Sequence, residues 1–280
     1  MSMMSFLPWR RPKDVVRIIR LQGVIQSASN SPRALNLRKV EKSIDAAFNV
    51  KKVKPKAVCL EINSMGGSAV QSNLIFNRIR EMARENEIPV LSFAEDAALS
   101  GGYWLALAGD EIFIDKNTFI GSIGALSANI GMVDAMKKLG IERRLITAGE
   151  NKVRWDPFKP EKIEDREWMK GLLTQVHNNF IELVKERRPH MDKDHKTAFT
   201  GDFFVGETAV KIGLADGTIN DMKSFCRKRF GKDVVFQRCD VPSGLFAKML
   251  RRNVGSETSI QIDDALDSIA VREMQSRYSL

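Results

Sequence analysis

Leu99-Ser100-Gly101-Gly102-Tyr103-Trp104-Leu105-Ala106 joins an apolar lead-in, Ala97-Ala98, to two glycines and an apolar helical run. Its flanks decide the fold class. Pro89-Val90-Leu91-Ser92-Phe93 reads as a short strand running into Ser100, and Glu111-Ile112-Phe113-Ile114 reads as the next strand after the helix. Short strands alternating with helices predict an α/β domain with mainly parallel strands. Serine at a helix start is a common N-cap, because its oxygen accepts a bond from an orphan backbone N–H. The same position suits a nucleophile, since N–H groups there can hold a developing oxyanion. This stretch alone leaves both readings open.

Working upstream, Ala57-Val58-Cys59-Leu60-Glu61-Ile62 predicts a buried strand, bounded by Pro55 and by Asn63-Ser64. The glycine turn Met65-Gly66-Gly67-Ser68 follows, then a helical run with Leu74, Ile75, Ile79 and Met82 on one side. Val15 to Leu21 reads as an early strand and Ser27 to Arg33 as a polar loop. Leu37, Val40, Ile44 and Phe48 recur at helical spacing. Downstream, Gly121-Ser122-Ile123-Gly124-Ala125 is a glycine-flanked turn or strand start. Val133 to Leu139 reads as helix, Arg143 to Ile146 as strand and Thr147 to Lys159 as loop. Pro160 opens the longest predicted helix, to about Arg188, with Met169, Leu172, Leu173, Val176, Phe180, Leu183 and Val184 along one face.

Asp233 to Cys239 reads as a last strand. Ile262, Leu266, Ile269 and Met274 suggest a short terminal helix, a docking or oligomer element. The expected organisation is a basic N-terminal segment (1–14), one α/β domain (15–231) and a C-terminal extension (232–280).

The chain has 280 residues, enough to bury a sizeable core. Its 44 basic and 35 acidic residues leave a net charge of +9, which suits an anionic partner without naming one. No nucleic-acid signature accompanies that charge, so nucleic acid is not an expected partner. Cys59, Cys226 and Cys239 are scattered, odd in number and without metal spacing. They read as reduced thiols of an intracellular protein, and neither metal nor cofactor is expected. No run approaches the ~18–20 apolar residues that span a bilayer. Phe6, Leu7 and Trp9 beside Arg10, Arg11 and Lys13 fit three roles: a peripheral membrane contact, a mitochondrial-type targeting segment, or a plain tail.

Glycines at strand ends let backbone N–H groups approach a ligand, and here two such loops, 63–68 and 100–102, share one design. Two N–H groups from separate loops make an oxyanion hole, where removal of one donor typically costs ~3 kcal/mol of transition-state stabilisation. A serine nucleophile also needs a base. His177 lies on the long helix at the edge of its apolar face, while His190 and His195 fall in a charged loop. All three read as structural or solvated. Lysine is the other option, in a serine–lysine dyad. Its free pKa of ~10.4 leaves about one in 2,500 molecules neutral at pH 7. Burial must therefore lower it to roughly 7–8. Lys152, in Gly149-Glu150-Asn151-Lys152, suits if its loop folds inward, but composition does not select it among 44 basic residues.

Asn63–Ser68, Leu99–Trp104, Gly121–Ala125 and Gly149–Lys152 resemble the signal peptide peptidase A (protease IV) family of serine–lysine peptidases. The likeness continues through Phe180, Val184 and Arg187, and through Phe199-Thr200-Gly201, Ala209 and Gly213-Leu214-Ala215-Asp216. It spans about Val15 to Gly231. It implies Ser100 as nucleophile, Lys152 as general base, Ser122 as the hydroxyl that orients the lysine, and Gly67 and Gly101 N–H groups as the oxyanion hole. It also implies a crotonase-like, Clp-protease-like fold of repeated β-β-α units in a single domain. Homo-oligomers, and apolar peptide or unfolded-protein substrates such as signal-peptide remnants, are further implications.

Three positions depart from the family pattern. Met65 replaces a usual proline, no N-terminal membrane anchor is evident, and Arg154 stands where aspartate is more common. Competing readings are an acyl-CoA-handling crotonase-like protein, a catalytically silent ring-forming scaffold, and a triad with His177 as base.

Overall fold

Runs that are apolar on both faces become inner strands of one sheet. The computed structural model describes residues 14–27 and 34–240. In chain order these form β1 (Val15–Gln22), β2 (Val24–Ile25), β3 (Ala34–Leu35), α1 (Leu37–Ala47), β4 (Ala57–Ser64), α2 (Ala69–Asn86), β5 (Val90–Leu99), α3 (Gly101–Ala106), β6 (Glu111–Ile114), β7 (Phe119–Gly121), α4 (Val133–Leu139), α5 (Ile163–Arg187), β8 (Phe203–Val205), α6 (Gly206–Lys211), β9 (Gly217–Thr218), α7 (Met222–Phe230) and β10 (Val235–Arg238). The main sheet runs β10-β1-β4-β5-β6-β9, all parallel. β10, from the segment read as an extension, is its edge strand beside β1. The segment beyond residue 240, with its expected terminal helix, lies outside the described residues, as do residues 1–13.

Both faces of the sheet are covered, which is why β1 and β4 carry apolar residues at successive positions (Ile18-Ile19, and Ala57 to Leu60) rather than only at alternate ones. Ile19, Leu21, Val58, Leu60 and Ile62 enter one core cluster together with Val40 and Ile44 of α1 and Ile75 and Ile79 of α2. Ile18, Ala57, Cys59, Leu91 and Phe93 enter a second cluster with Cys226 of α7. Burying each large aliphatic side chain contributes about 1.5–3 kcal/mol. Asn36, Ser68 and Asp221 cap α1, α2 and α7, each accepting the N–H three residues on.

β5 positions the site. Its first half pairs with β6, and its last residues, Ala97 to Leu99, pair instead with β7. β7 then pairs antiparallel with β8. The strand end carrying Ser100 is thus held between two elements that arrive from different parts of the chain.

Residues 124–179 behave differently: none of them is buried. This arm is tied mainly to itself. Met132 N–H donates to the Pro157 carbonyl at 2.7 Å, the Asn129 side-chain amide donates to the Trp155 carbonyl at 3.0 Å, and Arg143 pairs with Asp156. The strand expected at Arg143–Ile146 is absent. Ile146 is 98% exposed, and no neighbouring strand is there to take up its backbone bonds. α5 begins at Ile163, and of the apolar face expected along it only Phe180 and Val184 are buried.

Candidate active site

Ser100 occupies the N-cap position of α3, with φ 51° and ψ −120°. A non-glycine residue held there costs about 1–3 kcal/mol, and such strain persists only where the surroundings impose it. Two backbone bonds impose it. Ser100 N–H donates to the Gly121 carbonyl at 2.8 Å, and the Ser100 carbonyl accepts Trp104 N–H at 3.0 Å. Its side chain makes no capping bond, unlike Ser68, whose oxygen accepts the Gln71 N–H at 3.3 Å. A serine on a sharp, strained strand-to-helix turn is the device that exposes a nucleophilic hydroxyl.

α3 is held from below and behind. The buried Tyr103 hydroxyl donates to the Leu214 carbonyl at 3.0 Å, and burial pushes its pKa well up. Trp104 stacks on Phe180 with ring centroids 4.7 Å apart. Arg187 donates to the Leu107 and Gly109 carbonyls at 2.9 and 3.0 Å, closing the C-terminal end of α3. The Arg188 guanidinium grips Asp216 at 2.7 and 2.9 Å, fixing the 213–216 turn. These contacts explain the arginine and aspartate in the sequence pattern.

The second glycine loop is pinned against the first. Ser64 Oγ donates to the Gly23 carbonyl at 2.7 Å and accepts Gly66 N–H at 3.2 Å. Ile25 N–H donates to the Gly66 carbonyl, and Ser68 N–H donates to the Ile25 carbonyl. Gly67, at φ 138°, is skipped by these bonds, and a Cβ there would lie 2.1 Å from the Ile25 oxygen. No other residue fits. A Cβ on Gly101 would lie 3.3 Å from the Gly67 nitrogen, so the two backbones run side by side next to Ser100. Gly101 is the first helical residue, whose N–H has no intrahelical acceptor.

Ser122 is buried, with φ 53°, and its N–H donates to the Asp202 carbonyl at 2.8 Å. Ser100, Ser122, Gly67 and Gly101 all line one cleft of about 830 Å³. Trp104, Phe180, Leu173, Val176, Phe203 and Met65 supply much of its apolar wall. Among the described residues no acidic, basic or histidine side chain lines it. Lys152 lies elsewhere, exposed on the turn at 150–155 of the arm. Arg154, beside it in sequence, faces Asp165 with Nε 3.3 Å from Oδ1.

His177 was legible only as a helix-edge residue. Its Nε2 lies 3.0 Å from the Ile123 carbonyl, next to Ser122. The signal available in sequence was its position three residues before Phe180, on the same helix face. His190 and His195 do not line the cleft; His195 packs edge-on to Phe204. Among the described residues no group of three or more His, Cys, Asp or Glu is placed to hold a metal ion, and no helix is long and apolar enough to cross a membrane.

Residues 82–228 match the sequence model of peptidase family S49. A Brucella abortus (strain 2308) protein named Na(+)/H(+) antiporter NhaA is 44% identical over 243 residues, covering 86% of this chain and 33% of that protein. The chloroplastic serine protease SPPA of Arabidopsis thaliana is 29% identical over 212 residues, covering 73% of this chain and 30% of that protein. The chain thus spans about a third of the length of these two relatives. Among solved structures, a lysine mutant of the 1510-N membrane-bound stomatin-specific protease of Pyrococcus horikoshii, in complex with a substrate peptide, has the same fold. The TM-score is 0.51 at 17% identity, over 90% of this chain and 99% of that one.

Proposed function

This chain belongs to peptidase family S49, and on that premise we propose that it is a serine endopeptidase acting through a Ser100–Lys152 dyad. The observation that carries the reading is Ser100 itself. It is a strained serine at a strand-to-helix turn whose hydroxyl is not spent on capping, beside two glycine backbones in an apolar cleft. Ser100 Oγ attacks the peptide carbonyl while a neutral Lys152 amine takes its proton. The Gly67 and Gly101 N–H groups receive the oxyanion, and Ser122 orients the lysine. The resulting ammonium gives its proton to the leaving amine, and water then hydrolyses the acyl-enzyme.

The exposed position of Lys152 sets a condition on this chemistry. A general base must come within hydrogen-bond reach of the proton it takes, and Lys152 is not among the cleft-lining residues. The arm must close on the cleft and exclude water for Lys152 to serve. The arm's exposed Ile130, Leu139, Ile146 and Ile163 offer apolar area whose burial by a second copy favours such closure. We therefore read the working form as a homo-oligomer.

Substrates are apolar peptides and unfolded-protein segments, in keeping with the apolar cleft and with the substrate peptide held by the 1510-N structure. An acyl-CoA reading would call for a carboxylate in the cleft, and the described residues that line it include none. The test is hydrolysis of an unstructured apolar peptide by wild type and Ser100→Ala. We expect at least a ~10³-fold loss in the variant. Comparable turnover by the two proteins would end the proposal.

A further inference from the structure

We propose that His177 is a positioning residue. Its Nε2–H, donated to the Ile123 carbonyl, fixes residues 122–125 as the wall against which a peptide substrate lies. The inference rests on the peptidase reading of the cleft.

The geometry begins with the end of the sheet. β7 stops at Gly121, and Ser122 N–H still bonds the neighbouring segment, at the Asp202 carbonyl. Beyond it the chain leaves the sheet while still lining the cleft, through Gly124, Ala125, Leu126 and Ala128. Further along, the Asn129 side chain donates to the Trp155 carbonyl, already in the arm. Between these points Gly124 abuts the Gly201 backbone, and the 3.0 Å bond from His177 ties the wall to α5.

His177 is well placed for that task. It lies on α5 one turn before Phe180, which is buried and stacked on Trp104 beneath the cleft. Leu173 and Val176 of the same helix also line the cleft. The histidine therefore links the rigid part of α5 to a segment with little other support. A carbonyl only accepts, so Nε2 must carry the proton, as it does in the imidazolium and in one neutral tautomer. The bond gives that proton a fixed partner. It also commits Nε2, which cannot at the same time take the Ser100 proton. His177 is thereby a holder of backbone and not the base of a triad.

The experiment compares wild type with His177→Leu, which removes the donor, and His177→Gln, which restores an amide N–H at similar reach. Hydrogen exchange of the 122–130 backbone is measured alongside hydrolysis of an apolar decapeptide and fluorophosphonate labelling of Ser100. We expect His177→Leu to speed exchange over 122–125 and to raise KM, each by about five- to tenfold, the weight of one hydrogen bond. Labelling of Ser100 by the small probe should change less than about twofold, because the probe needs no wall. His177→Gln should recover both exchange and KM.

Unchanged exchange and KM in His177→Leu would overturn the inference, as would a His177→Gln variant as impaired as His177→Leu. Wild type that is neither labelled nor active would overturn the peptidase reading instead. In that case exchange alone still decides whether His177 holds the wall.

Discussion

Residues 57–123 and residues 124–179 both carry apolar side chains at regular spacing, yet they end in opposite environments. The first stretch buries Val58, Leu60, Ile62, Ile75, Ile79, Val90, Tyr103 and Leu105 in one shared core. The second buries nothing, and Leu139, Ile146 and Ile163 face solvent. The difference is one of partners. Every strand in the first stretch pairs with another, whereas the arm supplies the short helix α4, the outer turns of α5 and a run of turns held largely by their own bonds. The proposed nucleophile and both oxyanion candidates belong to the packed region, and the proposed base belongs to the exposed one. In the proposed dyad, the packed scaffold holds the serine and the exposed arm carries the lysine.

The comparison can be broken by stability measurements. Phe180, where α5 enters the core beneath Trp104, is the joint between the regions, and Phe180→Ala should cost ~3–5 kcal/mol in urea unfolding. Leu60→Ala, in the centre of the sheet, should cost ~2–5 kcal/mol by the same measurement. The α7 cap is a smaller effect. Ser224 N–H holds the Asp221 carboxyl below the usual carboxylate range. That stabilisation is present above the unfolded carboxylate pKa near ~3.9 and fades as pH falls through the depressed folded value. Asp221→Ala should cost ~1 kcal/mol near neutral pH and little at the acid end, read from melting curves across pH. Leu139→Ala in the arm should stay within ~0.5 kcal/mol for the isolated chain. A loss there as large as at Leu60 would show that the arm is packed after all.

Much of the scaffold was readable from the chain. β1, β4 and β6 follow apolar runs between polar breaks, and α1 follows the Leu37, Val40, Ile44 spacing. The glycine loops were readable because strand ends that approach one another need residues without side chains. The failures lie in the arm. Arg143-Arg144-Leu145-Ile146 has strand composition, but a strand needs a partner and none is near. Along α5 the apolar period is real from Met169 to Val184, yet it cannot say which turns meet the core. At the site, the positive φ of Ser100 is invisible in composition because bonds to Gly121 and Trp104 impose it. His177 and Ile123, 54 residues apart, meet only in the fold. Lys152 was singled out by resemblance, since nothing local distinguishes it from other exposed lysines.

The account joins a serine in the packed region to a lysine in the exposed one, and one measurement addresses that join directly. It is the rate of fluorophosphonate labelling at Ser100, mapped by mass spectrometry, in wild type and in Lys152→Arg. Arginine keeps the charge but cannot be deprotonated in this range. Wild type should be labelled at Ser100, and Lys152→Arg should react at a rate at least ~10²-fold lower, the usual weight of a general base. Equal labelling of the two proteins would contradict it.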